Sequence, residues 1–173
     1  MQKLIIVCSF LLVLSNSVAQ NEAGFQIYSA SGTIGGYFDK DTGGAAGGLD
    51  VVFDLNNNKF RFSAMGGSEL KVNVLGPNRS DVFVEANLSY GRELSINDWL
   101  FAEFYGGLGY FYFKKANSEN FEFTNYNTIG FPIDARIRFQ LGANFGIGLQ
   151  LHSNLNSAST IYYVGPFFQL KFN

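Results

Sequence analysis

Residues 133–141 read IDARIRFQL, in which Ile133, Ala135, Ile137, Phe139 and Leu141 alternate with Asp134, Arg136, Arg138 and Gln140. A period of two sends the two sets to opposite faces of one extended strand. One face is oily and the other ionic, in a chain whose 12 Lys and Arg and 14 Asp and Glu are spread over 173 residues. Both fold and function turn on which face meets water.

The same two-faced pattern recurs in seven further stretches. GFQIYSASGTIGGYF (24–38) is the least regular; Tyr28, Ala30, Ile34 and Phe38 are assigned to its oily face. AAGGLDVVFDL (45–55) sets Leu49, Val51, Phe53 and Leu55 against Asp50 and Asp54. KFRFSAMGGSELKV (59–72) sets Phe60, Phe62, Ala64, Leu70 and Val72 against Arg61, Ser63, Glu69 and Lys71. DVFVEANLSYGRE (81–93) opposes Val82, Val84, Ala86, Leu88 and Tyr90 to Glu85, Asn87, Ser89 and Glu93. WLFAEFYGGLGYFYF (99–113) opposes Leu100, Ala102, Phe104, Leu108, Tyr110 and Tyr112 to Glu103, Gly107 and Gly109. FGIGLQLH (145–152) and TIYYVGPFFQLKF (160–172) close the series, the last with Gln169 and Lys171 on its polar side. With 19 Phe, 9 Tyr, 20 Gly and only 3 Pro, and no helical apolar period, the chain reads as all-β.

The connections sort by parity. LNNN, SIND and GAN are tight, whereas DKDTGG, NVLGPNRS, KKANSENFEFTNYN and SNLNSAS are mostly longer and polar. Alternating short and long hairpins put tight turns at one end of a sheet and loops at the other. No linker divides the chain.

MQKLIIVCSFLLVLSNSVAQ, with Lys3, an apolar run from Leu4 to Leu14 and small residues Ser17 and Ala19, reads as a secretory leader ending at Ala19. The run is too short for a spanning helix. Cys8 lies early in it without the small residues that precede a lipid-attachment site, so lipidation is not expected. The remaining 154 residues (20–173) form one domain without cysteine, and 11 basic against 14 acidic residues give it no basic face for nucleic acid.

Eight antiparallel strands can close into an up-and-down barrel, which removes exposed edges. A soluble lipocalin-type barrel points the oily set inward; an outer-membrane barrel points it at lipid around a polar interior. Volume separates the two. The oily set holds Phe53, Phe60, Phe62, Phe104, Phe131, Phe139, Phe145, Phe168 and Phe172 besides its aliphatics, a load that overpacks an eight-stranded lumen. Glycine gives an independent reason, because Gly67, Gly107, Gly109, Gly130, Gly146 and Gly148 all fall on the polar face. In a strand facing water they only weaken it, whereas facing a crowded interior they make room. The polar face is therefore expected inside.

That interior would hold Asp50, Asp54, Glu69, Glu85, Glu93, Glu103 and Asp134 against Arg61, Lys71, Arg136, Arg138 and Lys171, nearly balanced and so able to pair. Arg136 and Arg138 are expected to find Glu69, Glu85, Glu93 and Glu103 across it.

The leader, the eight alternating stretches, the turn parity and the closing strand YYVGPFFQLKF resemble the small eight-stranded outer-membrane barrels of Gram-negative bacteria, the OmpA/OmpX-like porin-family domain. The resemblance covers essentially all of residues 20–173. It implies termini and tight turns in the periplasm and four loops outside the cell. It also implies a terminal aromatic read by the barrel-assembly machinery; Phe172 matches by type, displaced by Asn173.

Some small barrels of this kind act on lipid A, and the deacylase type uses a His and a Ser two positions apart. Here Ser153 adjoins His152, Asn154 stands where the serine should be, and no acid follows in sequence. The motif fails as written. With one His and no cysteine after the leader, metal chemistry is left to carboxylates such as Asp39 and Asp41, which more readily make a solvated turn. GLGYF and GIGLQL lack the third glycine of a nucleotide loop. Phe121, Phe123 and Tyr126 form an aromatic patch that reads equally as a binding surface or as the top of two long strands. Trp99, Tyr90 and Phe172 suit an interfacial belt.

The expectation is a monomeric, transmembrane eight-stranded antiparallel barrel of the cell outer membrane with a filled polar interior. It has no catalytic, metal or cofactor site. Its partners are outer-membrane lipid and the assembly machinery, and its role is structural or adhesive through the loops. A narrow conduit, a lipid A enzyme and a lipocalin-like carrier are the alternatives.

Overall fold

The computed structural model describes residues 26–55, 58–70, 80–116 and 123–172, so the expected leader, Lys71 and Phe121 lie outside the described residues. Eight strands run in order: β1 (Gln26–Phe38), β2 (Gly43–Leu55), β3 (Asn58–Glu69), β4 (Val82–Ser95), β5 (Leu100–Ala116), β6 (Phe123–Gln140), β7 (Phe145–Asn156) and β8 (Ile161–Lys171). Each pairs antiparallel with the next, and β8 pairs back onto β1 to close the barrel. Closure gives each described strand a neighbour on both sides, so none of them is an exposed edge.

The alternation read from sequence becomes an inside and an outside. Leu49 is 72% exposed and Phe62, Phe104, Leu108, Ile133 and Phe168 are likewise exposed, while Arg61, Glu103, Asp134, Arg136 and Arg138 are buried. A soluble protein of this size hides its large apolar side chains, because each gains about 1.5–3 kcal/mol on leaving water. Here the large outward residues form a continuous exposed coat, the inverse arrangement.

At the turn end, β4 and β5 are joined through Ile96–Trp99, where Asn97 Oδ1 accepts from the backbone N–H groups of Trp99 and Leu100. Leu141 N–H donates to Phe145 O across the β6–β7 turn. At the loop end the ladders outrun the connections expected from sequence. β6 starts at Phe123 and β7 runs to Asn156, so FTNYN and SNLN, read as loop, are strand. Beyond the apolar belt the outward face need not be oily, so hydrogen bonding continues where the alternation signal has faded. Tyr110 and Tyr112 mark that border, their hydroxyls donating to Asn127 and Asn125 on the outer face of the β5–β6 hairpin.

Two inward features depart from the sequence reading. Tyr28, assigned to the oily face, turns into the lumen, because a bulge between Ile27 and Ser29 shifts the β1–β2 register and inverts the alternation there. The lumen is also not ionic throughout. Its loop-end part is a cluster of Tyr37, Ala46, Met65, Phe83, Phe111, Phe113, Ile161 and Tyr163. The inward glycines lie against large neighbours. A Cβ on Gly67 would run into the Phe83 ring, and one on Gly148 would stand 2.6 Å from Phe167.

Candidate functional site

The lumen is built in layers from the turn end upward. At the base, Tyr28 hydroxyl lies 2.7 and 2.8 Å from the two Glu93 carboxylate oxygens, and its ring sits under the ammonium groups of Lys59 and Lys171. Lys59 pairs with Asp54, and Lys171 Nζ stands 3.9 Å from Glu93. Arg138 reaches Glu93 at 2.8 Å and also contacts Glu103 and Gln169.

In the middle layer Arg136 pairs with Asp50 and donates to Gln150 Oε1 at 3.0 Å, and Arg61 pairs with Asp134. Asp134 is the hub: it also accepts from Gln150 Nε2 at 2.7 Å and faces His152 Nδ1 at 3.1 Å. The guanidinium groups lie over rings, Arg61 on Tyr105, Arg136 on Phe167 and Arg138 on Phe101. Flat cations on aromatic faces keep their charge stabilised without water. The gap beside Arg61, Asp134 and His152 amounts to about 10 Å³, room for one water molecule.

Above this, His152 Nε2 stands 2.8 Å from Glu85 Oε1, close but out of line for a hydrogen bond, and Asn154 donates to Glu85. The aromatic cluster then closes the top. Glu69 and Asp81, both buried, join the strands at that level: Glu69 accepts from Asp81 N–H at 3.1 Å, and Asp81 accepts from Ala116 N–H at 2.7 Å.

Of the charged residues singled out from sequence, the structure brings Asp50, Asp54, Arg61, Glu85, Glu93, Glu103, Asp134, Arg136, Arg138 and Lys171 into this lumen. The partners differ from those expected. Arg138 takes Glu93 and Glu103, but Arg136 goes to Asp50, Glu85 faces His152, and Glu69 binds backbone near the loop end. Barrel stagger sets these pairs, bringing together residues 86 apart in the case of Asp50 and Arg136. His152 falls where the alternation of FGIGLQLH puts it, on the polar and therefore inner side. Lys59 and Asp81, the first residues of their stretches, share the parity of Arg61 and Glu85 but were not named as network members.

Around His152, acids do reach the ring that lacks one in local sequence, from β4 and β6, but both of its nitrogens face carboxylates. Ser153 points to the outer face, and the inward next-but-one position is Asn154.

The second candidate lies at the loop-end mouth. There a cleft of about 590 Å³ opens between residues 39–41, the inner face of the β5–β6 hairpin and residues 156–160. Phe113 forms its floor and Tyr126, 42% exposed, its wall. Phe123 projects on the outer face, with Lys114 Nζ 4.0 Å from its ring centroid. The patch of Phe123 and Tyr126 therefore divides between two faces. Asp39 accepts from Asp41 N–H (2.8 Å), Thr42 N–H (2.6 Å) and Ser159 hydroxyl (2.9 Å), so its carboxylate serves as a loop clasp. Burial alone would raise its pKa, but these donors outweigh that and hold it below the usual carboxylate value.

A closed eight-stranded meander with oily outside and ionic inside defines the class: the fold of the small OmpA/OmpX-like outer-membrane barrels. No protein-family model matches the chain, and no curated protein matches its sequence. Solved structures do match. Neisserial surface protein A, NspA, superposes with TM-score 0.66 at 11% identity, over 86% of this chain and 99% of that one. Ail, the attachment invasion locus protein of Yersinia pestis, solved with the heparin analogue sucrose octasulfate, gives 0.56 at 14% identity, over 86% and 100%. The outer membrane enzyme PagL gives 0.52 at 12% identity, over 83% and 99%. At such identities the likeness is one of fold, and this fold carries both surface proteins and an enzyme.

Proposed function

We propose that this chain is an integral outer-membrane protein whose barrel is a closed scaffold and whose function is contact with the cell's surroundings through the loop end. The observation that carries this is the packing of the lumen. Ion pairs fill it from the turn end through the middle, and the Tyr37, Phe83, Phe111 and Tyr163 cluster fills its loop end. A conduit needs a chain of mobile water or an apolar path, and this interior offers neither to a solute. The oily coat supports residence in lipid, where a charged group at the same positions would cost roughly 2–4 kcal/mol.

Lipid A hydrolysis is disfavoured by His152, both of whose ring nitrogens are turned to carboxylates. Phe172, exposed on the outer side of the turn end, suits the aromatic read during barrel assembly. The deciding experiment is planar-bilayer recording of the refolded protein together with whole-cell binding by cells with and without the gene. Absence of unitary conductance, with surface binding that depends on the gene, is expected. Steady unitary currents, or surface binding indifferent to the gene, would sink the reading.

A further inference from the structure

The loop-end cleft has a chemistry of its own, and its assignment to a ligand rests on the reading of the loops as a contact surface. Three contacts close a ring around it: Ser159 hydroxyl to Asp39 (2.9 Å), Lys115 Nζ to Asp41 (3.4 Å), and Ser157 hydroxyl to Thr128 hydroxyl (2.9 Å). Each ties a different pair of walls. Within the loops, Asn156 Oδ1 accepts from Ala158 and Ser159 N–H at 2.9 Å, so the rim is ordered before any ligand arrives. A rim already held in place loses little conformational freedom on binding. The volume, about 590 Å³, falls in the range of about 300–1,000 Å³ typical of small-ligand sites, and barrel mouths are a common place for them.

The lining selects the ligand. Tyr126 is held by Phe113 behind it, ring centroids 6.5 Å apart, with part of its ring open to the cleft. Asn156, Ser157, Ser159 and Thr160 line the cleft beside it, and the stacked rings of Phe38 and Tyr162 add a second aromatic surface at the β1–β8 edge. The charges cancel, two lysines (Lys40 and Lys115) against two acids (Asp39 and Asp41), and one of each is already paired across the rim. A polyanion gains no net attraction here and meets two carboxylates. A wholly apolar ligand would strip water from the charged Asp39, Lys40, Asp41 and Lys115 and put nothing in its place. A pyranose ring offers what remains: an apolar C–H face for an aromatic ring and an edge of hydroxyls for a polar rim whose charges cancel.

We infer that the mouth cleft binds a short neutral oligosaccharide, stacked on Tyr126 and hydrogen-bonded by the residue 156–160 loop. The test uses the full barrel refolded in lauryldimethylamine oxide, a detergent without a sugar headgroup, with folding of each variant checked by heat-modifiable gel mobility. Titration calorimetry is run with chitotetraose and maltotetraose as neutral probes and a heparin tetrasaccharide as the anionic one. Saturable binding of a neutral probe is expected, weakened at least tenfold by Tyr126→Ala, kept within about threefold by Tyr126→Phe, and unchanged by Phe123→Ala on the outer face. Binding of heparin alone overturns this inference while leaving the contact-surface reading in place. So does neutral-sugar binding lost on Phe123→Ala and retained in Tyr126→Ala, or no binding by any probe to the folded protein.

Discussion

Arg136 shows how a residue with no site role can govern the molecule. Its guanidinium lies between the Asp50 carboxylate and the Phe167 ring, buried in a closely packed lumen. Arg136→Leu removes the cation and leaves Asp50 buried alone, a change that costs about 3–5 kcal/mol. The urea unfolding midpoint in detergent should fall accordingly, and Asp50→Leu added to Arg136→Leu should restore much of the loss. An unmoved midpoint in the single variant would contradict a load on this pair. Asp39 acts by the opposite logic, at the surface. Its folded pKa is depressed, so its clasp on Thr42 and Ser159 is present above the free carboxylate value of about 3.9 and is lost as pH falls through the lower folded value. The Thr42 amide resonance should therefore titrate with a midpoint below about 3.9; one at or above it would show that the clasp does not form.

At the scale of the strand, small residues decide whether the staves can close. β7 brings Gly146 and Gly148 to the inner face, and a Cβ at Gly148 would meet the Phe167 ring and the Ile137 carbonyl. Gly148→Val should cost about 1–3 kcal/mol through overpacking and reduce the yield of heat-modifiable barrel. A normal yield with an unchanged melting point would mean that Phe167 yields freely. The bulge in β1 is a second element-scale device. It brings Tyr28 onto Glu93, between Lys59 and Lys171, and closes the turn-end mouth. The stretch 24–38 was the least regular in sequence because alternation on either side of a bulge is out of phase. The Phe83, Phe111 and Phe113 ladder was missed for a related reason: aromatics stood on both faces of β4 and β5, and hydropathy cannot say which of two oily sets faces lipid.

For the whole molecule, the same coat and the same lumen predict membrane behaviour. After cell lysis the protein should sediment with membranes, dissolve only in detergent, and change gel mobility on boiling. Recovery in the detergent-free soluble fraction would favour a carrier with oily residues inside. β5 and β6, 17 and 18 residues long, exceed the roughly 9–11 needed to cross, so in a bilayer their loop-end residues would stand clear of lipid, where Phe113, Lys115 and Tyr126 form one wall of the mouth cleft. Alternation, turn parity and glycine placement determined the number of strands, their order and which face is wet, because these depend on the pleat and on total side-chain volume, both local or additive in sequence. Only the closed structure decided which acid meets which base, that His152 is enclosed by carboxylates, that aromatics cap the lumen, and that three chain segments ring a cleft. Those contacts depend on stagger and loop packing between residues far apart in the chain, and no local pattern encodes such distances.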